Sequence, residues 1–194
     1  LMVAREKAME SETGASILYL LQDMRDFELY GTVEAIVCVC DSINYITEYD
    51  DLVKVFSLAN NYLESEGIMI FDFKTPYLYK EVMGNNTIAE NREDASFIWE
   101  NHYDEEAHVN VYDLTIFHKE ILDLGDEELE AFARYRETHC QRAWTIEEFK
   151  NAATAGGMKV LAVYDAFTKE EPRSKSERLY MIVQEQRKEG KYYE

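Results

Sequence analysis

The sequence predicts an α/β fold: an open, mostly parallel sheet, an antiparallel strand pair at its C-terminal end, and an antiparallel β sheet inserted between the two. Three observations predict it. Two apolar runs, Ala35–Cys40 and Ile68–Phe73, flank an amphipathic stretch, and strand–helix–strand at this spacing calls for a parallel crossover. Residues 97–144 alternate polar and apolar side chains, the period of half-buried antiparallel strands. Two more apolar runs, Met158–Phe167 and Arg178–Gln186, close the chain after a capped helix.

The elements follow in order. Leu1, Ala4 and Ala8 recur at helical spacing from Leu1 to about Met9, and Thr13-Gly14 stops that helix. Ile17–Leu21 is long enough for a buried strand, with Gln22–Asp26 as the loop after it. Ala35–Cys40 is the next strand and ends at Asp41-Ser42. From Glu48 to Glu64, Leu52, Val53, Phe56, Ala59 and Leu63 mark one face of a helix that Glu66-Gly67 ends. Ile68–Phe73 is a third buried strand. Phe97–His102 and His108–Phe117 form a hairpin across Asp104-Glu105-Glu106, and Ala131–Trp144 adds a further strand. Thr145 and Glu148 form a capping box for a helix that stops at Gly156-Gly157. The tail after Arg187 reads as frayed. The expected division is 1–96 as a partial core, 97–144 as the inserted β subdomain, and 145–194 as the helix and hairpin that complete the core.

Composition narrows the function classes. The chain has 194 residues, 46% hydrophobic, enough for a packed core. Its net charge of −19 disfavours nucleic acid and anionic membranes, which call for a basic footprint. No apolar run reaches the roughly 18 residues of a membrane span. Three cysteines give no disulfide framework, and Cys38 and Cys40 read as buried small hydrophobes in a reducing cytoplasm. His102, His108 and His118 lack partners at ligand spacing, so no metal is expected. Asp104-Glu105-Glu106 and Asp126-Glu127-Glu128 read as solvated turns or helix starts.

The order of these pieces resembles the class I S-adenosylmethionine-dependent methyltransferases, a Rossmann-like family. Its seven-stranded sheet ends in an antiparallel hairpin, and many small-molecule members carry a β insertion after the fifth strand. The resemblance makes Ile17–Leu21, Ala35–Cys40 and Ile68–Phe73 the family's third, fourth and fifth strands, and Met158–Phe167 and Arg178–Gln186 its sixth and seventh. Leu1-Met2-Val3-Ala4-Arg5-Glu6-Lys7-Ala8 is similar to its helix after the second strand. The family's glycine-rich loop and first two strands would then lie before Leu1, roughly 40 to 60 residues upstream. In the family those two strands separate the third from the fourth. The expectation is therefore an ordered half holding the fourth, fifth, seventh and sixth strands plus the insertion, with residues 1–22 displaced or abnormally paired and the chain inactive by itself.

The resemblance also assigns a site. In Gln22-Asp23-Met24-Arg25-Asp26-Phe27, Asp23 would accept from the adenine amino group and the Met24 amide would donate to a ring nitrogen. The Cys40 carbonyl would face the methionine amine of S-adenosylmethionine. Asp41, Ser42 and Tyr45 would lie near the transferred methyl, outside the carboxyl end of a strand. From the insertion, His139 or Arg142 would bind an anionic substrate, or His139 would act as a base. Trp99, Tyr103 and Tyr112 form either an aromatic wall over a cationic methyl donor or a packed sheet face. The implied activity is methyl transfer to an N, O or C nucleophile, of a small substrate first, with tRNA or protein as other acceptors. An inactive methyltransferase-like interaction protein and a nucleotide-binding oxidoreductase remain as alternatives.

Overall fold

The computed structural model describes residues 1–11, 14–123, 125 and 128–186. Helix α1 (Met2–Met9) is followed by strand β1 (Val33–Cys38), helix α2 (Tyr49–Tyr62) and strand β2 (Leu63–Lys74). Strands β3 (Thr87–Asn91), β4 (Ala95–Asp104), β5 (Val109–Asp123) and β6 (Glu128–Arg142) come next. Helix α3 (Ile146–Ala155) and strands β7 (Met158–Asp165) and β8 (Arg178–Glu185) complete it.

Two four-stranded sheets result. The first runs β1-β2-β8-β7, with β1 and β2 parallel and the other pairs antiparallel. This is the expected half-sheet of the fourth, fifth, seventh and sixth strands. The second, wholly antiparallel, runs β3-β4-β5-β6. It begins at Thr87, on a strand that the alternating pattern did not reveal, because all five of its residues are exposed.

The core lies on one face of the first sheet. Leu52, Val55, Phe56 and Ala59 of α2 and Phe149, Ala152 and Ala153 of α3 pack against Met69, Phe71 and Phe73 of β2 and Met181 and Val183 of β8. The Phe149 ring sits 4.4 Å from that of Phe73 and 5.3 Å from that of Phe71. Each such ring contributes roughly 1.5–3 kcal/mol by leaving water. On the opposite face, Val37 of β1 stays exposed. A second cluster of Tyr79, Met83, Tyr103 and Ala143 packs the segment after β2 against the inserted sheet.

Several boundaries differ from expectation. Ile17–Leu21 is not a strand: it joins no ladder, and Ile17, Leu18, Leu20 and Leu21 are exposed. An apolar run becomes a strand only where a neighbour takes its backbone groups. The β1 strand stops at Cys38, because Cys40 and Asp41 take left-handed backbone angles, φ 61° and 51°. Consequently Cys40 is exposed and not a core residue, whereas Cys38 is half-buried, its thiol pushed up to about 11 by burial and by Asp72. Helix α2 ends at Tyr62, and β2 starts at once with an irregularity at Glu66, φ 63°. β7 ends before Phe167, which turns at φ 62° into solvent. Thr13, Asp126, Glu127 and the tail from Arg187 lie outside the described residues. Among those described, no helix is long and apolar enough to cross a membrane, and no three His, Cys, Asp or Glu gather as a metal site.

The capping box of α3 forms as expected. Thr145 Oγ1 accepts from the Glu148 amide at 3.2 Å, and Glu148 accepts from the Thr145 amide at 2.8 Å. The helix runs out at Gly156, where it meets α2. A Cβ there would lie 2.6 Å from Phe56 Cβ and 2.9 Å from the Ser57 amide nitrogen. Gly156→Ala should therefore destabilise the protein by about 1–3 kcal/mol through overpacking. Urea unfolding checks this, and a wild-type midpoint would show that the two helices do not meet so closely.

Candidate active site

The site is built where β1 gives way to a loop. After Cys38 the chain turns through the left-handed Cys40 and Asp41 into a short 3-10 turn, Ser42–Tyr45. The Ser42 hydroxyl donates back to the Val39 carbonyl at 2.6 Å, tightening the turn. Asn44, fully buried, donates to the carbonyls of Lys74 and Arg142 at 3.2 and 2.9 Å and accepts from the Lys74 amide at 3.0 Å. One side chain thus ties the loop to the ends of β2 and β6.

Asp41 points inward. Its Oδ2 accepts from Gln141 at 2.7 Å and pairs with Lys74 Nζ at 3.0 Å. Its Oδ1 accepts from Arg178 at 2.7 Å, and Arg178 also pairs with buried Asp72. The Asp41 amide donates to Asp72 at 3.1 Å. Burial pushes the Asp41 carboxyl up, but the Gln141 amide, Lys74 and Arg178 outweigh it and hold it below the usual carboxylate range. Buried Tyr79 donates to Gln141 Oε1 at 2.9 Å.

Tyr45, half-exposed, reaches from the turn to the inserted sheet. Its hydroxyl lies 2.7 Å from His139 Nδ1 and 3.0 Å from the Tyr112 hydroxyl. His139 Nε2 lies 3.1 Å from Glu137. With Glu137 ionised, Nε2–H donates to it, and Nδ1 is left to accept from Tyr45. The His139 ring stacks on Tyr112 at 4.5 Å and 12°, and Tyr112 stacks on Trp99 at 4.3 Å. Burial and the Tyr45 hydroxyl both push the Tyr112 phenol up. Tyr103 stands apart, stacked on Tyr79 in the second cluster.

The remaining expected residues lie elsewhere. Asp23 is solvated beside Arg25, whose side-chain and backbone hydrogen bonds lower its carboxyl to about 2. Its two oxygens offer about four acceptor positions, and Arg25 takes three, leaving room for one further donor. Met24 packs on the main core, and Arg25 and Asp26 pair with Asp51 and Lys54 of α2, which fixes the loop. Arg142 lies over the Trp144 ring at 4.1 Å, donates to the Thr47 carbonyl at 3.1 Å, and is 3.8 Å from Glu148.

No family model matches this chain. It is, however, 32% identical over 185 residues to the protein named Putative methyltransferase YqeM of Bacillus subtilis (strain 168), covering 95% of this chain and 70% of that one. It belongs to the S-adenosylmethionine-dependent methyltransferases. The fold agrees. A methyltransferase of that description from Clostridium acetobutylicum ATCC 824 superposes with a TM-score of 0.76 at 25% identity, covering 86% of this chain. This methyltransferase chain spans 63% of that structure's length. The CcbJ methyltransferase of Streptomyces caelestis shares the fold at a TM-score of 0.78 and 14% identity, over 94% of this chain and 73% of its own.

Asn44, Asp72, Lys74, Gln141, Arg178 and Glu137 were not predicted for the site. One signal for them exists: Asp72 and Lys74 follow an otherwise apolar run, and a buried charge demands a partner. The cluster also predicts a pH dependence. A carboxyl whose folded pKa is depressed stabilises the fold above its unfolded value of about 3.9, and that stability is lost as pH falls through the folded value. Asp41→Asn should cost ~3 kcal/mol at neutral pH by stranding Lys74 and taking one of the two carboxylates from Arg178, with the deficit shrinking as pH drops below about 4. Urea midpoints across that range check it, and a deficit independent of pH would mean that Asp41 is not ionised in the fold.

Proposed function

We propose that this methyltransferase moves the activated methyl of S-adenosylmethionine, in one in-line displacement, to a nucleophile of a small substrate, with Tyr45 and His139 receiving the proton that the nucleophile gives up. The observation that carries this reading is the contact between Tyr45 Oη and His139 Nδ1, 2.7 Å long, beside the turn at the carboxyl end of β1. Ligands of open α/β sheets gather at that end. When bound, the cofactor supplies an electrophilic methyl on a positively charged sulfur.

The chain's own groups do the rest. The Asp23 carboxylate and Met24 amide would hold the adenine, and the Cys40 carbonyl with Asp41 and Ser42 would border the methionine end. The free acceptor position on Asp23 and the exposure of Cys40 suit those roles. Tyr45, half-exposed, accepts the substrate proton while passing its own to His139 Nδ1. Glu137 fixes the imidazole tautomer and offsets the resulting charge. Positioning supplies the larger share of the rate, as expected for direct displacement. The net charge of −19 supports a small acceptor over nucleic acid. Three free cysteines support a reducing cytoplasm.

The test is release of S-adenosylhomocysteine with a panel of small amines, phenols and carbon acids. His139→Gln should lower the rate about a hundredfold to a thousandfold, and Tyr45→Phe about a hundredfold. Rates equal to wild type in both variants would remove this pair from proton transfer.

A further inference from the structure

The face of the inserted sheet that carries His139 extends beyond the residues used in proton transfer. By register, Phe97 of β4 faces Ile116 of β5, Trp99 faces Leu114, and Tyr112 faces His139 of β6. Two-residue alternation puts all six side chains on one side of the sheet. Phe97, Trp99, Leu114 and Ile116 line a pocket of about 290 Å³, with the Arg92–Glu90 pair at its rim. That volume is near the lower bound of small-molecule sites, roughly 300 Å³. Trp99 belongs to both regions: it lines the pocket, and its ring stacks on Tyr112, which stacks on His139. Leu114 is two residues from Tyr112 on the same strand, a separation of roughly 7 Å. Directly opposite Leu114, and on the same face, stands Glu137, a carboxylate between the apolar pocket and the imidazole.

We propose that this pocket receives the aromatic end of the methyl acceptor, and that the acceptor is an arylalkylamine. Its ring lies among Phe97, Trp99, Leu114 and Ile116, and its nitrogen lies about one short alkyl spacer away, beside Glu137 and His139. The apolar walls favour a flat hydrocarbon ring over a hydroxyl-rich one, whose polar groups would be buried without partners. The Glu137 carboxylate draws the ammonium form in. Since an ammonium nitrogen has no lone pair, its proton must leave before methyl transfer, which is the step given to Tyr45 and His139. The inference rests on that assignment for the direction in which the nitrogen points, and on the pocket alone for the ring.

Trp99 supplies the readout. The chain holds two tryptophans, and Trp144 is fully buried with its indole N–H donated to the Ile46 carbonyl at 2.7 Å. The ¹⁵N-labelled protein is titrated with 2-(1-naphthyl)ethylamine and, separately, with glucosamine, following both indole N–H resonances. The naphthyl amine is expected to shift the Trp99 resonance saturably and leave Trp144 in place, while glucosamine moves neither. Ile116→Lys is expected to weaken the naphthyl amine by about tenfold or more, since its longer charged side chain fills the apolar space and its ammonium repels the ligand's own. Should that variant unfold, Ile116→Ser takes its place. Trp99 responding equally to glucosamine, a silent Trp99, or unchanged affinity in the folded Ile116 variant would each overturn the proposal. These readouts need neither cofactor nor turnover. Saturable, Ile116-dependent binding alongside normal methyl transfer in Tyr45→Phe and His139→Gln would uphold the pocket and sink only the proton-transfer assignment.

Discussion

The buried ion cluster around Asp41 is the constraint on which the rest of the site depends. Asp41, Asp72, Lys74 and Arg178 bring two negative and two positive charges together at the ends of β1, β2 and β8. Removing such groups from water is costly, and the arrangement holds only while each charge keeps its partner. Gln141 extends the cluster into β6, so the inserted sheet is anchored to the same point as the loop after β1. Two residues along β6 from Gln141 stands His139, and four along the chain from Asp41 stands Tyr45. Their 2.7 Å contact follows from fixing both segments at one shared carboxylate.

This ties the inserted sheet to the candidate site. Its inner face grades from buried amides at Gln141 and Asn110, through Tyr112 and His139, to an apolar end at Phe97 and Ile116. The polar end is satisfied by the core sheet. Asn101 and Asn110 exchange paired amide hydrogen bonds of 2.9 Å, which removes the cost of burying them beside Tyr103 and Tyr112. The apolar end has no such partner among the described residues and lines the pocket of Phe97, Trp99, Leu114 and Ile116. A single antiparallel sheet can join the two because its register holds without a break along β4, β5 and β6.

Asp23 and Arg142 illustrate how a side chain's setting decides its use. Asp23 is solvated, and its low pKa comes from Arg25 two residues away, a local pairing that leaves the loop accessible. Arg142 instead spends its guanidinium on Trp144 and the Thr47 carbonyl, bracing the start of α3. Both were candidates on residue type, and only surroundings separate a group free to meet a ligand from one engaged in the fold.

The sequence by itself determined the elements whose physics is local. The capping box at Thr145, the amphipathic α2, the crossover into β2, and the β4–β5 hairpin all read correctly, because periodicity and caps act within a few residues. The candidate residues Tyr45 and His139 were legible too, though only as separate polar positions near strand ends. The tertiary structure decided what depends on distant partners. Ile17–Leu21 has a strand's composition and no strand's neighbours. The exposed β3 carries no periodic signal, and Cys40 left the core because a left-handed turn, not hydrophobicity, ended β1. Asn44, Gln141 and Arg178 bond to groups about 30 to 140 residues away in sequence. Pairings at that range are set by how sheets pack, and no local pattern encodes them.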